Sequence, residues 1–238
     1  MSPVRQALAF LTVLGRASVP GPRALRGFPA AGALVGAAVG VAWWGAGEAF
    51  SPLVAAVVAV GFDLALTGML HFDGLADSAD GLLPPVERAR RLAIMSAPDT
   101  GAFGTAVVGL ALLARVAGFA ALEPDPLLVA GLWCAARTAM VAAVAWIPYV
   151  RGPGGLAAAF TGGPSLLVPV VAGTVAAAAL VVVGGGGAGL VGLVAGAVAG
   201  AGVLRLAVVR IGGITGDVLG ATGVVVETVA LVVAGARW

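Results

Sequence analysis

The 238-residue chain is 61% hydrophobic and 10% charged, with a mean hydropathy of +1.09 and a formal charge of +2. Its apolar runs are too long for the strands or core helices of a soluble domain, so the chain is an integral protein of a lipid bilayer. The basic charge is carried by dispersed arginines without interleaved aromatics, and this excludes a nucleic-acid surface.

In chain order, Arg5 precedes a short apolar run over 7–14, followed by Arg16 and the turn-rich Pro20-Gly21-Pro22. No small-residue cleavage site follows the run, which predicts an interfacial helix and not a removed signal peptide. Longer apolar runs follow at 29–47, 52–71, 103–122, 127–147, 166–184, 188–209 and 221–236. Six are full spans; the seventh is shorter and carries Glu227. The expected fold is all-α: one domain over 1–238, a polytopic membrane bundle of six to seven transmembrane helices. Cys134, the single cysteine, lies inside an apolar run and reads as a small packing residue.

The arginines set the expected topology. Arg5, Arg16, Arg23 and Arg26 precede the first span, Arg88, Arg90 and Arg91 follow the second, Arg151 follows the fourth, and Arg205 and Arg210 keep the alternation. All fall on one side, which the positive-inside rule makes cytoplasmic, so the expected location is the cell membrane. The opposite connections carry Glu48, Glu123 and Asp125 and no basic residue.

The polar connection over 72–102 holds the densest chemistry. In His71-Phe72-Asp73-Gly74-Leu75-Ala76-Asp77-Ser78-Ala79-Asp80-Gly81, Asp77 lies four residues and Asp80 seven residues after Asp73. A helix therefore presents all three carboxylates on one face. Two carboxylates about 6 Å apart repel by roughly 3 kcal/mol at an effective dielectric near 20, and a divalent cation removes that cost. Gly74 and Gly81 would give phosphate or metal close access to backbone. With neither a cysteine cluster nor a second histidine, all-oxygen ligation suits Mg²⁺ or Mn²⁺ at Asp73, Asp77 and Asp80. His71 points away from Asp73 in a continuous helix and becomes a candidate base only where the helix breaks.

A second constellation, Gly212-Gly213-Ile214-Thr215-Gly216-Asp217, enters the last apolar run from the same side. Its glycines and helix N-terminus offer amides to phosphate, and Asp217 offers a further metal ligand. A plain N-cap role suits Thr215 and Asp217 as well. Asp63, Arg115 and Arg137 lie deeper, inside spans, where each charge costs roughly 2.5 to 3.5 kcal/mol and needs a partner or a watery cavity. An Asp63–arginine pair accounts for them minimally, with Arg137 a further candidate for substrate phosphate.

The Asp motif resembles the signature of the cobalamin synthase (adenosylcobinamide-GDP ribazoletransferase) family. Ile94-Met95 with Gly101-Ala102-Phe103-Gly104, Arg137-Thr138, Gly155-Leu156 leading to Phe160, and Gly213-Ile214-Thr215-Gly216-Asp217 resemble it in the same order. Phe10-Leu11-Thr12 and Phe28-Pro29 match its N-terminal pattern, so the likeness covers nearly the whole chain. It implies a Mg²⁺-dependent multi-pass enzyme that joins adenosylcobinamide-GDP to α-ribazole or its 5′-phosphate with release of GMP. The ribazole 3′-hydroxyl would attack the phosphorus on the cobinamide arm. It further implies metal at Asp73, Asp77, Asp80 and Asp217, with catalytic roles for Asp73, Asp77 and Asp80 and Asp80 as the general base. Substrate would be bound by His71, Gly74, Gly81, Arg137, Gly213, Thr215, Gly216 and Asp217. The chain departs from the family pattern at Val224, where an acid is common, and at Ala97-Pro98-Asp99. Asp99 and Glu227 are thus acids without assigned roles.

Two other readings compete. CDP-alcohol phosphotransferases also hold metal with spaced aspartates, but carry an Ala-Arg after the first Asp-Gly and longer gaps. A cation-coupled transporter would use Asp63, Arg115 and Arg137, yet no repeat relates the halves of the chain. An oligomer is compatible with either reading.

Overall fold

The computed structural model describes residues 1–15, 21–151 and 165–236. The segment with Gly155, Leu156 and Phe160, and also Arg16, lies outside the described residues. The helices are α1 (Pro3–Leu11), α2 (Phe28–Gly47), α3 (Pro52–Thr67), α4 (Leu70–Leu82), α5 (Arg88–Ile94), α6 (Ala102–Ala120), α7 (Pro126–Trp146), α8 (Leu167–Ile211) and α9 (Gly216–Ala234), with a 3₁₀ turn at Pro22–Gly27. This is the all-α membrane bundle expected. Five helices are long and apolar enough to cross a bilayer, and α3 with α4 forms a sixth, bent candidate.

α8 is two helices in one. At Gly186 the backbone takes φ +55° and ψ −144°, a conformation open to glycine and poor for other residues. The chain reverses there, because a Cβ on Gly189 would stand 3.2 Å from the carbonyl of Val181, whereas eight residues of straight helix span about 12 Å. The two arms match the separate runs at 166–184 and 188–209. The first arm packs on α7, where Gly131 meets Val181. The second packs on α9 through Gly192, Gly196 and Gly200, one face of a helix with no side chains to hold the backbones apart. α7 and α9 form the enclosed centre of the bundle. α6 and α8 turn Leu110, Leu113, Val175, Val183, Val194 and Val198 outward, as a lipid-facing surface requires.

The second apolar run, expected to continue to residue 71, stops at Thr67. Gly68 (φ +59°) and Met69 (φ +57°) both adopt left-handed backbone, and α4 leaves at 91° to α3. α4 therefore turns sharply out of the line of α3 at the arginine-bearing end of the bundle. It is pressed against α9 at Gly74 and Gly220: a Cβ on Gly74 would stand 2.8 Å from the Asp217 carbonyl oxygen, and one on Gly220 3.2 Å from the His71 Cα. α1 lies at the same end, as the interfacial reading expected, with Ala7 and Leu11 buried and Phe10 stacked on Phe28 at 6.0 Å.

α5 follows the Pro84-Pro85 break. Its Arg91 is buried and donates from Nη1 to the carbonyls of Gly81 (2.9 Å) and Leu82 (2.8 Å), satisfying the C-terminal end of α4. Arg90, on the same short helix, is exposed and fits a topology determinant.

Candidate active site

The Asp motif folds as the helix its spacing predicts, but its three carboxylates part company. Asp73 is exposed, Asp77 half-buried and Asp80 buried. Asp80 turns to the N-terminus of α6, where its Oδ2 accepts from the Gly101 amide at 2.7 Å and its Oδ1 from the Gly104 amide at 2.9 Å. Four amides at a helix start have no intrahelical partner, and a carboxylate there also meets the positive end of the helix dipole. The fit depends on bare glycines, since a Cβ on Gly101 would lie 2.6 Å from Oδ1 and one on Gly104 2.5 Å from Oδ2. Both oxygens of Asp80, expected as a metal ligand and general base, thus take part in holding α6 to α4, and Asp80 is not among the residues that line the cavity beside Asp73 and Asp217. The Gly101-Ala102-Phe103-Gly104 element of the family resemblance is the other half of this joint.

Asp73 and Asp217 look onto a cavity of about 100 Å³ at the arginine-bearing end, and Asp77 lies one turn along α4 from Asp73. Asp73, His71 and Gly74 reach it from α4, Gly216 and Asp217 from α9, and Arg151 from the connection after α7. Phe10, Phe28, Met140 and Leu219 form an apolar wall. Burial, reinforced by the charges of Asp217 and Asp73, pushes the Asp77 carboxyl up to about 6. Three carboxylates on two helices thus act on one another across a short distance.

Thr215 caps α9: fully buried, its Oγ1 accepts from the Val218 amide at 3.3 Å and donates to Asp217 Oδ2 at 3.2 Å. The hydroxyl so orients the carboxylate. Gly213, expected to bind substrate, has a packing role. It lies against residues 148–150, where a Cβ would come within 2.6 Å of the Val150 side chain. Its neighbour Ile214 donates to the Pro148 carbonyl at 2.9 Å and accepts from the Val150 amide at 3.0 Å, a single parallel bridge. That bridge sets Arg151 beside α9, with its Nη2 3.1 Å from Asp217 Oδ2. Arg151, in the sequence only a topology charge, is thus a lining residue of the cavity paired with Asp217. Gly81 likewise belongs to packing, with a Cβ there 2.9 Å from the Met95 sulfur and 3.1 Å from the Arg91 carbonyl.

Beneath the cavity lies a closed charge network. Arg115 donates from Nη1 to Asp63 Oδ2 at 2.5 Å and from Nε to Thr228 at 3.0 Å, and pairs through Nη2 with Glu227. Arg137 pairs with the other Glu227 oxygen, and the Trp133 indole donates to Asp63 Oδ1 at 3.2 Å. The Arg115 guanidinium also sits over the rings of Phe72 (4.9 Å) and Trp133 (5.1 Å). Two arginines balance two acids, all buried, as charges at membrane depth require. Arg137, expected to bind phosphate, pairs with Glu227, is not among the residues that line the cavity, and keeps a buried Nε with no hydrogen-bond partner among the described residues. Glu227, left without a role by the sequence, is the shared counter-ion. His71 stands between the two layers. A Cβ on Gly223 would be 3.4 Å from Arg137 Nη1 and 4.0 Å from His71 Cδ2, while His71 itself borders the cavity. Burial first, then the charges of Arg137 and Arg115, pull the imidazole well below its usual value, so it is neutral at pH 7. Its Nε2 is buried with no hydrogen-bond partner among the described residues.

Among the described residues no three Asp, Glu, His or Cys side chains stand together as a ready metal cage. The donor set nevertheless fits a hard cation of the Mg²⁺ kind, which is usually held by one or two carboxylates together with substrate phosphates. Asp73, Asp77 and Asp217 supply oxygen ligands and an excess of negative charge over Arg151.

Fold and site define a polytopic membrane protein with an acidic cavity at one end of its bundle, walled on one side by apolar and aromatic groups. The family described as cobalamin-5-phosphate synthase matches residues 3–235. An adenosylcobinamide-GDP ribazoletransferase of Chlorobium phaeovibrioides is 36% identical over 99% of this chain and 97% of its own length. Its namesake in Chlorobaculum tepidum is 36% identical over 93% of this chain and 89% of its own, and that of Bradyrhizobium diazoefficiens 36% over 90% and 83%. No solved structure matches the chain. The chain belongs to the cobalamin-5-phosphate synthase family and is a membrane enzyme of cobalamin synthesis.

Proposed function

We propose that this chain transfers the adenosylcobinamide phosphate group from adenosylcobinamide-GDP to α-ribazole or its 5′-phosphate, releasing GMP, at the cytoplasmic face of the cell membrane. Beyond the family match, the observation that carries the reading is the meeting of α4 and α9. Their crossing at Gly74 and Gly220 brings Asp73 to Asp217 at one cavity, with Asp77 near enough to feel the charge of both. Asp73, Asp77 and Asp217 would hold Mg²⁺ or Mn²⁺. Such an ion neutralises a diphosphate and the charge that develops on departing GMP.

The chain's own side chains do the rest. Phosphoryl transfer needs chiefly positioning and charge compensation, and the buried joints around the cavity supply a rigid frame for both. Thr215 fixes one Asp217 oxygen. Neutral His71 offers an unpaired nitrogen at the cavity edge for a substrate hydroxyl or amide. Phe10, Phe28, Met140 and Leu219 offer a wall for the flat ribazole base.

The test is direct. Protein reconstituted in liposomes receives adenosylcobinamide-GDP, α-ribazole and Mg²⁺, and GMP is measured. Release that requires both substrates and stops with EDTA is expected; absence of GMP across lipid compositions and Mg²⁺ or Mn²⁺ concentrations overturns the reading.

A further inference from the structure

We infer that Arg151 is a placeholder cation, which holds Asp217 while the site awaits metal and then yields it, turning its guanidinium onto the incoming diphosphate. The inference rests on the metal-assisted transfer proposed above and gives a role to a residue outside the Asp and Thr-Gly-Asp motifs.

Location comes first. Arg151 lines the same cavity as Asp73 and Asp217, and its backbone is held there by the bridge between Tyr149 and Ile214. Its charge acts on both Asp77 and Asp217. A divalent cation entering among those carboxylates meets this guanidinium directly, so cation and Arg151 compete for the same oxygens.

The pair is also built to exchange. The side chains of Arg151 and Asp217 remain 27% and 17% exposed, whereas those in the Arg115, Asp63, Arg137 and Glu227 network are between 1% and 6%. A partly solvated pair breaks at little cost, and a buried one does not. Losing Asp217 does not set Arg151 adrift. Its Nη2 also donates to the Met95 carbonyl at 2.8 Å and to Ser96 Oγ at 3.0 Å, so the end of α5 retains it at the cavity mouth. Among the described residues, each of these contacts uses that one nitrogen, while a guanidinium carries five N–H donors. The unused edge matches the paired oxygens of a phosphate, which an arginine fork grips in a way a lysine cannot.

The experiment separates rivalry for metal from phosphate binding. Mn²⁺ binding to purified full-length protein, without substrate, is followed by EPR for wild type, Arg151→Gln, Arg151→Lys, Asp217→Asn and the Arg151→Gln/Asp217→Asn double variant, with thermal melting as the control for folding. Arg151→Gln is expected to bind Mn²⁺ at least threefold more tightly than wild type, and Arg151→Lys close to wild type. The gain is expected to vanish in the Asp217→Asn background, because the freed carboxylate is its source. In the GMP-release assay, Arg151→Gln and Arg151→Lys are both expected to raise KM for adenosylcobinamide-GDP, Gln by tenfold or more. Mn²⁺ affinity unchanged or weakened in Arg151→Gln overturns the placeholder role, and an unchanged KM in both variants overturns the phosphate contact. A wild-type protein that binds Mn²⁺ but releases no GMP sinks the proposed reaction, while the Mn²⁺ comparison still decides on Arg151.

Discussion

Asp80 and Gly104 lie 24 residues apart, yet the carboxylate of one accepts the backbone amide of the other at 2.9 Å, and its second oxygen takes the Gly101 amide at 2.7 Å. The most buried aspartate of the motif is thus a bolt between α4 and α6. Asp80→Asn keeps one acceptor and turns an NH₂ toward an amide that has lost its partner. The loss of one charge-assisted bond predicts a destabilisation of about 1.5 to 3 kcal/mol. Thermal melting in detergent checks this, and Gly104→Ala, which drives a methyl into Oδ2, should lower the melting temperature in the same direction.

Asp77 behaves oppositely. Half-exposed and free of structural hydrogen bonds among the described residues, it can be replaced without loss of fold. Asp77→Asn should melt within a degree or two of wild type while GMP release falls by more than a hundredfold. Retained turnover would remove Asp77 from the mechanism.

The raised pKa of Asp77 also sets a pH dependence. Its folded value, about 6, lies above the ordinary 3.8, so without metal the folded state prefers the protonated form. The contribution to stability is therefore most favourable below pH 4, declines between pH 4 and 6, and is fully lost above 6. Metal binding reverses that preference, because the ligand is the ionised carboxylate. Added Mg²⁺ should raise the melting temperature clearly at pH 7.5 and hardly at pH 5, with the change centred near pH 6. Equal shifts at both pH values would contradict a metal held by this carboxylate.

Glu227 is shared by two arginines, so its loss strands both. Glu227→Gln leaves buried positive charge without its counter-ion and should cost about 3 to 5 kcal/mol. The combined Glu227→Leu and Arg137→Met protein should be more stable than Glu227→Gln, because each charge then leaves with a partner. Unfolding in a detergent series tests the ranking.

Met69 pays a local backbone cost at the α3–α4 bend, with φ +57° in a residue that carries a Cβ. The side chain is mostly exposed and contributes little packing. Met69→Gly should therefore raise stability by about 1 kcal/mol without loss of activity, seen as a higher melting temperature. Gly68→Ala should do the reverse, since its Cβ would stand 2.9 Å from Val13.

Much of this was legible in the residues. Run lengths located the spans, and the polar glycine run over 184–187 separated what became the two arms of α8. The 3.6-residue period foretold the α4 helix, and the Thr-Gly-Asp segment foretold the N-cap of α9. What escaped was pairing between helices. Periodicity puts Asp73, Asp77 and Asp80 on one face, but cannot show that another helix presents its bare amides to Asp80. Gly213 read as phosphate-binding because glycine permits both close ligands and close backbone, and only the course of residues 148–150 decides between them. Arg137 and Glu227 lie 90 residues apart, and nothing local joins them. The excess of charge within the spans was the one available sign: Asp63 alone could not neutralise Arg115 and Arg137, so a second acid had to exist.

α9 carries both Asp217 and Glu227, and it is synthesised after α1 to α8. Until it docks against the second arm of α8, Arg115 and Arg137 share only Asp63, and the apolar interior holds a surplus positive charge. The helix that completes the reaction site is thus the one that makes the bundle electrically neutral within the lipid. A chain without α9 lacks Asp217 and Glu227 together, so the cavity and the charge network are completed by the same helix.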